Sequence, residues 1–220
     1  MARPLALLAV LAAGCAPALR PVAVAPGGGA PDDPAALLAE VQALARRLEH
    51  EPAGGPRDAL AQQAVAAGQR CEQAAPGAPA CDYALAIALG LQARERPSTV
   101  RDGLSQMATR LRRAADAEPG LDHAGPDRVL ALLLLRAPGW PLGPGDPEEG
   151  LAAARRAAAR SPEHAPNLLA LAEALRATDQ AEAGRAAARR ALALGEAAVR
   201  SGDPEAAAWV RQARALVDAP

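Results

Sequence analysis

From Pro34 onward the large apolar side chains recur at intervals of three and four. Leu37, Val41, Leu44 and Leu48 form one such stripe, Val100, Leu104, Met107 and Leu111 a second, and Leu168, Leu171, Ala172 and Leu175 a third. This is the period of an amphipathic helix, not of a half-buried strand. Composition points the same way: Ala supplies 62 of the 220 residues, Phe is absent, Ile87 is the single isoleucine, and the large rings are Trp140, Trp209 and Tyr83. Strands want β-branched and aromatic residues, so the composition argues against a sandwich or barrel and favours close-packed helices. Start signals mark the helices. Asp33-Pro34, Asp146-Pro147-Glu148-Glu149 and Asp203-Pro204-Glu205 each place Asp at an N-cap and Pro at the first helical position, Asp179 with Glu182 has the shape of a capping box, and Gly202 stands as a C-cap. The expected helices span 34–50, 57–74, 80–95, 98–117, 125–136, 147–160, 164–177, 180–200 and 204–217, with no strand.

Antiparallel helix pairs prompt a search for repeats. Gly150, Ala157 and Pro162 lie seven and five residues apart, and Met107, Ala114 and Pro119 show the same offsets. Ala172, Gly184 and Ala191 lie twelve and seven apart. These are the intervals at which small helix-contact residues and a closing Pro stand in a tetratricopeptide (TPR) repeat of about 34 residues. Pro119 and Pro162 are 43 apart, and much of the excess lies in the stiff insertion Pro138-Gly139-Trp140-Pro141-Leu142-Gly143-Pro144-Gly145. The fold class expected is all-α, with TPR-like antiparallel helix pairs in a curved stack over 34–220.

The N-terminus carries an address. Arg3 precedes the apolar run Leu5 to Ala13, too short for the roughly 20 residues a bilayer span needs but suited to a signal peptide. Leu11-Ala12-Ala13-Gly14-Cys15 resembles a bacterial lipobox, which implies a signal peptide over 1–14 and lipidation of Cys15. Residues 15–33, rich in Pro, Gly and Ala, read as an extended linker. Ala16 after the Cys, in place of Asp, points to the periplasmic face of the outer membrane. The alternatives are a non-lipidated signal cut near Ala16-Pro17-Ala18, or a buried N-terminal helix. Cys71 and Cys81 flank a Pro/Gly-rich turn, so they either form a disulfide that staples a helix hairpin in an oxidising compartment or stay reduced as small buried residues.

The segments Gly125-Pro126-Asp127-Arg128-Val129-Leu130, Ala137-Pro138-Gly139-Trp140-Pro141, Gly145-Asp146-Pro147-Glu148 and Asn167-Leu168-Leu169-Ala170-Leu171-Ala172-Glu173-Ala174-Leu175, with Cys81 and Tyr83 upstream, resemble the TatT family. These are TPR-like periplasmic lipoproteins, the T components associated with TRAP transporters. The resemblance covers about Cys81 to Ala193. It implies a partner that is the solute-binding protein of a TRAP-type transporter, with a small organic acid or apolar ligand passing through.

No catalytic or metal constellation is visible. His50, His123 and His164 are scattered without an i, i+4 partner, Ser98, Ser105, Ser161 and Ser201 lack a nucleophile elbow, and Gly27-Gly28-Gly29 is no phosphate loop. No cofactor is expected. The pairs Arg46-Arg47, Arg112-Arg113, Arg155-Arg156 and Arg189-Arg190 read as solvated helix faces, a subset being able to meet an anionic partner or lipid headgroups; a net charge of −1 and few aromatics argue against nucleic acid. Two residues stand out as partner or ligand contacts. Trp140 sits in the insertion and is expected to fold back over a groove, and Arg128 near a helix start is expected to face either that groove or Asp146. Both also admit a structural reading. The functional expectation is a non-enzymatic scaffold or binding module; the competing expectation is an envelope assembly or secretion lipoprotein with no transport link.

Overall fold

The computed structural model describes residues 32–96 and 100–219, so the signal-peptide, Cys15 and most of the linker reading lies outside the described residues. Nine α-helices occur among them: α1 Pro34–His50, α2 Gly55–Ala74, α3 Pro79–Glu95, α4 Val100–Ala117, α5 Gly125–Arg136, α6 Pro147–Arg160, α7 Ala165–Ala177, α8 Ala181–Arg200 and α9 Ala206–Asp218. Proline punctuates the chain. It opens the first turn of α1, α2, α3, α5, α6 and α7, where its fixed φ suits the helix and its missing N–H costs nothing. Asp33 Oδ2 accepts from Ala36 N (3.1 Å) and Asp146 Oδ1 from Glu149 N (3.0 Å), capping α1 and α6. Two expected starts differ. The capping box at Asp179 does not form, because Asp179 has left-handed backbone (φ 58°) and Gln180 takes the N-cap place without a side-chain bond. Asp203 instead bonds Glu205 N (2.8 Å) in a turn, so α9 begins at Ala206 rather than 204.

Each helix packs antiparallel on the next, from α1·α2 through to α8·α9. The odd-numbered helices α1 and α3, α5 and α7, and α7 and α9 also touch one another, whereas no comparable contact joins even-numbered neighbours. Elements that approach on one side and spread on the other make an arc, with the odd helices inside. The arc is tight enough that Arg46 Nε on α1 lies 3.8 Å from Glu205 Oε1, just before α9. Of the odd helices, α3 is covered nearly all round its first turns: every residue from Cys81 to Ala86 is buried, the carboxylate of Asp82 being held there by Arg110 and Arg113. This is an all-α stack of TPR-like helix pairs.

Small side chains set the helix spacing. Buried alanines fill the crossings, among them Ala64, Ala84, Ala114, Ala131, Ala154, Ala172 and Ala188. Where the approach is closest one partner is Gly. A Cβ on Gly150 would lie 3.3 Å from the Ala131 carbonyl of α5, and one on Gly184 3.0 Å from the Ala172 carbonyl of α7. At the α3/α4 crossing the roles reverse, Gly90 leaving room for the Met107 sulfur 3.2 Å from its would-be Cβ. Ion pairs and hydrogen bonds then join successive pairs at a separation of one repeat: Arg57 to Glu95 (38 residues), Arg112 to Glu149 (37), Arg136 to Glu173 (37) and Arg128 to Asn167 (39). Those that are exposed contribute only tenths of a kcal/mol, so apolar contact carries the stack.

At the N-terminal end Cys71 on the last turn of α2 and Cys81 on the first turn of α3 are bonded (S–S 2.05 Å, Cα–Cα 5.1 Å) and fully buried. The bond closes a turn of sequence separation 10 and restricts the unfolded chain. Replacing both by Ser lowers unfolding stability by about 2–3 kcal/mol, read from urea titrations of the two proteins under non-reducing conditions.

Candidate functional site

Helices alternate in direction, so the loops fall at two ends of the stack. The end at which the odd helices start holds the α4–α5, α6–α7 and α8–α9 loops. There Asp122, His123 and Ala124 have positive φ in succession (48°, 55° and 62°), a conformation costly for residues with a Cβ. The surroundings hold it. Tyr83 of α3 donates from its hydroxyl to Asp122 Oδ2 (2.8 Å), and Arg128 of α5 donates from Nη2 to the same oxygen (3.0 Å). Arg128 Nη1 also donates to Asn167 Oδ1 of α7 (3.0 Å). Asn167, wholly buried, returns its amide protons to the His123 carbonyl (2.8 Å) and the Ala157 carbonyl (3.0 Å). Gly125 follows the turn because any Cβ there would collide with the Tyr83 hydroxyl. Burial, with Arg128 opposing, pushes the Tyr83 hydroxyl well above its ordinary pKa, so it stays a donor.

The turn carries His123 over His164 of the α6–α7 loop. The rings stack with centroids 4.6 Å apart at 14°, and Trp209 of α9 meets His164 edge-on at 6.0 Å. A cleft of about 320 Å³ opens beside them, lined by His123, Ser161, Pro162, Glu163 and His164. Burial first, then the charges of Arg128 and His123, against the opposing pull of Asp122 and Asp203, lower the His164 pKa to about 4. The imidazole is therefore neutral at pH 7. Among the described residues no three His, Cys, Asp or Glu are grouped to hold a metal ion, and no helix is long and apolar enough to cross a membrane.

Trp140 lies at the opposite end, in the α5–α6 loop. The loop is pinned: Asp146 N donates to the Leu134 carbonyl (3.0 Å), Gly145 N to the Pro138 carbonyl (2.9 Å), and Leu142 N to the Gly139 carbonyl (3.0 Å). A Cβ on Gly143 would sit 2.7 Å from the Pro138 carbonyl, so the loop closes tightly on itself. Trp140 does not fold back over a groove. It is 91% exposed and Leu142 62%, because prolines and short loop bonds fix the backbone with both side chains outward. Arg128 faces Asp122 and Asn167, not Asp146. The two singled-out residues thus lie at opposite ends and share no site. Trp209 packs with Leu168, Leu169, Ala191 and Ala213. The sequence pattern gives Tyr83, Asp122, Asn167 and the stacked histidines no common role; its one signal is that His123 and His164 each sit in the loop before an odd helix, about one repeat apart.

No family model and no curated protein matches the chain. Among solved structures, it is similar to MamA 41-end from Desulfovibrio magneticus RS-1 (17% identity, TM-score 0.46, covering 80% of this chain and 94% of that one). It is also similar to a MamA RS-1 ArsTM double mutant (16% identity, TM-score 0.46, with the same coverage).

Asn167→Ala removes one of the acceptors of Arg128, which keeps Asp122, and the side-chain donor to the His123 and Ala157 carbonyls, and lowers stability by roughly 1–3 kcal/mol, measured by denaturant unfolding. Because His164 titrates near 4 when folded and near its ordinary 6.5 when unfolded, the unfolded chain binds protons first as pH falls. The contribution of His164 is fully present above about 6.5 and is lost between there and about 4. Melting temperature followed over that window drops less steeply in His164→Gln than in the native chain.

Proposed function

We propose that this chain is a non-enzymatic protein-binding scaffold that presents Trp140 and Leu142 to an apolar pocket on a partner protein. The observation that carries this reading is a Trp 91% exposed on a hydrogen-bonded loop. A large aromatic held outward in one conformation loses little entropy on binding, and such residues dominate interface energetics. Two exposed large apolar residues within three positions, on a surface otherwise short of them, mark an interaction point.

The lipobox-like Leu11 to Cys15 supports attachment through lipid on Cys15 at the periplasmic face of the outer membrane, with residues 16–33 as tether. A disulfide between Cys71 and Cys81 suits that oxidising compartment. The tether joins the body at Pro34, where α1 starts, while the Trp140 loop follows the C-terminus of α5 at the other end of the stack. The knob and the start of α1 therefore lie at opposite ends of the stack, about 18 Å apart along the helix direction, the length of a twelve-residue helix. The resemblance to the TatT family makes a TRAP-type solute-binding protein the partner of this reading.

Affinity capture of the lipidated full-length protein from solubilised membranes recovers such a solute-binding protein, and Trp140→Ala abolishes the recovery. Because Trp140 touches little, its melting temperature and helicity stay native, within about 0.5 kcal/mol. Recovery of envelope assembly subunits instead supports the scaffold without a transport link. A large fall in melting temperature in Trp140→Ala overturns the contact role.

A further inference from the structure

Equivalent positions along the stack identify a second surface. Gly150 on α6 and Gly184 on α8 make the same close approach, to the Ala131 and Ala172 carbonyls of the preceding odd helix, so they hold the same place in consecutive pairs. Met107 holds that place on α4, opposite Gly90. Five and six residues after each stand Arg112-Arg113, Arg155-Arg156 and Arg189-Arg190. The same arginine couple thus recurs on three successive even helices, facing outward from the arc.

What changes along the stack is the couple's partner. On α4, Arg112 grips Glu149 through two bonds of 2.7 Å, and Arg113 pairs with the buried carboxylate of Asp82 (Nε–Oδ2 2.9 Å). On α6, Arg156 keeps a buried carboxylate, Asp127 (2.7 Å), but Arg155 meets only the neutral amide oxygen of Gln180 (3.1 Å). On α8 neither arginine has a carboxylate among the described residues. The residue directly after the opening Pro of α7, where α5 has Asp127, is Asn167, and its side-chain oxygen is already taken by Arg128. Acids are also absent from the segments themselves: 150–160 and 183–195 contain none. Arg155, Arg160, Arg189 and Arg190 are exposed, and Arg156, Ala159 and Arg160 line an open cleft of about 320 Å³.

We propose that the outer faces of α6 and α8 form a docking surface for a carboxylate-rich segment of a partner protein, whose acids meet the exposed Arg155, Arg189 and Arg190 as Glu149 meets Arg112. Guanidinium favours planar bidentate carboxylates, and this fold already makes such pairs at these repeat positions. Between the arginines the exposed residues are alanines, such as Ala152, Ala159, Ala186 and Ala193. These allow close approach but offer no aromatic or long apolar group to enter a bilayer or stack on bases. The surface is separate from the Trp140 loop and does not depend on it.

Fluorescence polarisation of the full chain with fluorescein-labelled deca-glutamate tests this. Binding is expected at low salt, weakening about tenfold or more in the triple variant Arg155→Gln/Arg189→Gln/Arg190→Gln. Arg47→Gln, an exposed arginine on α1 with no carboxylate partner among the described residues, changes it less than about twofold by the same free-energy scale, and Trp140→Ala leaves it unchanged, so failure of either surface is seen without the other. Circular dichroism melts verify that the triple variant stays folded, since these side chains are exposed. Absence of peptide binding, an equal loss in Arg47→Gln, or retention on phosphatidylglycerol vesicles with no peptide preference overturns the proposal, the last in favour of a lipid surface.

Discussion

The distance between helix axes is the constraint on which everything else here rests. Helices approach only as far as their facing side chains allow, and this chain lines its crossings with Ala, using Gly where backbone meets backbone. Gly150 and Gly184 touch the carbonyls of the preceding helix, and at Gly90 the same space is filled from the other side by Met107. Short side chains give little apolar area each, so the core works by close contact over many positions. They also let the odd helices touch one another, which bends the stack until Arg46 and Glu205, from its first and last parts, come within 3.8 Å.

A chain without lysine has one way of placing positive charge, and the guanidinium has consequences. Arg113 and Arg156 reach carboxylates almost wholly buried at Asp82 and Asp127, a geometry for which a planar, always-charged fork is better matched than an ammonium. One change of side chain, Asp127 to its positional counterpart Asn167, redirects the network. The amide cannot neutralise an arginine, and instead it ties Arg128 to the left-handed turn at 122–124. The arginine couple of α4 is thus tied to carboxylates, while that of α8, Arg189 and Arg190, faces solvent. Asn167 supports the left-handed turn, and Arg190 has no counterpart among the described residues to the carboxylate that Asp127 gives Arg156.

The two residues singled out from sequence illustrate where pattern reading stops. Arg128 was placed near a helix start with Asp146 as an eligible partner, but the acid it meets is Asp122, six residues back, because three left-handed residues reverse the chain there. Nothing in the Asp-His-Ala triplet announces positive φ, which is imposed by Tyr83 and Asn167 from helices about forty residues away on either side. The histidines are similar: scattered in sequence, they stack because each occupies the loop before an odd helix and the repeat brings those loops side by side. Trp140 shows the opposite case. Its unusual Pro/Gly setting was plain, but an aromatic in a loop equally suggests packing inward, and only the backbone bonds of residues 138–146 turn it out to solvent.

Local information was sufficient for the helices, since Pro fixes φ, capping acids satisfy free N–H groups and a three-to-four spacing selects one face; none of these needs a distant partner. It was also sufficient for the antiparallel pairing, because small residues at regular intervals and short Pro-closed turns leave few other arrangements. Tertiary structure alone decided which arginines are neutralised, which histidines meet and which way Trp140 points. Those outcomes depend on side chains reaching across one repeat, and the spacing of residues along the chain does not say which side chains meet there.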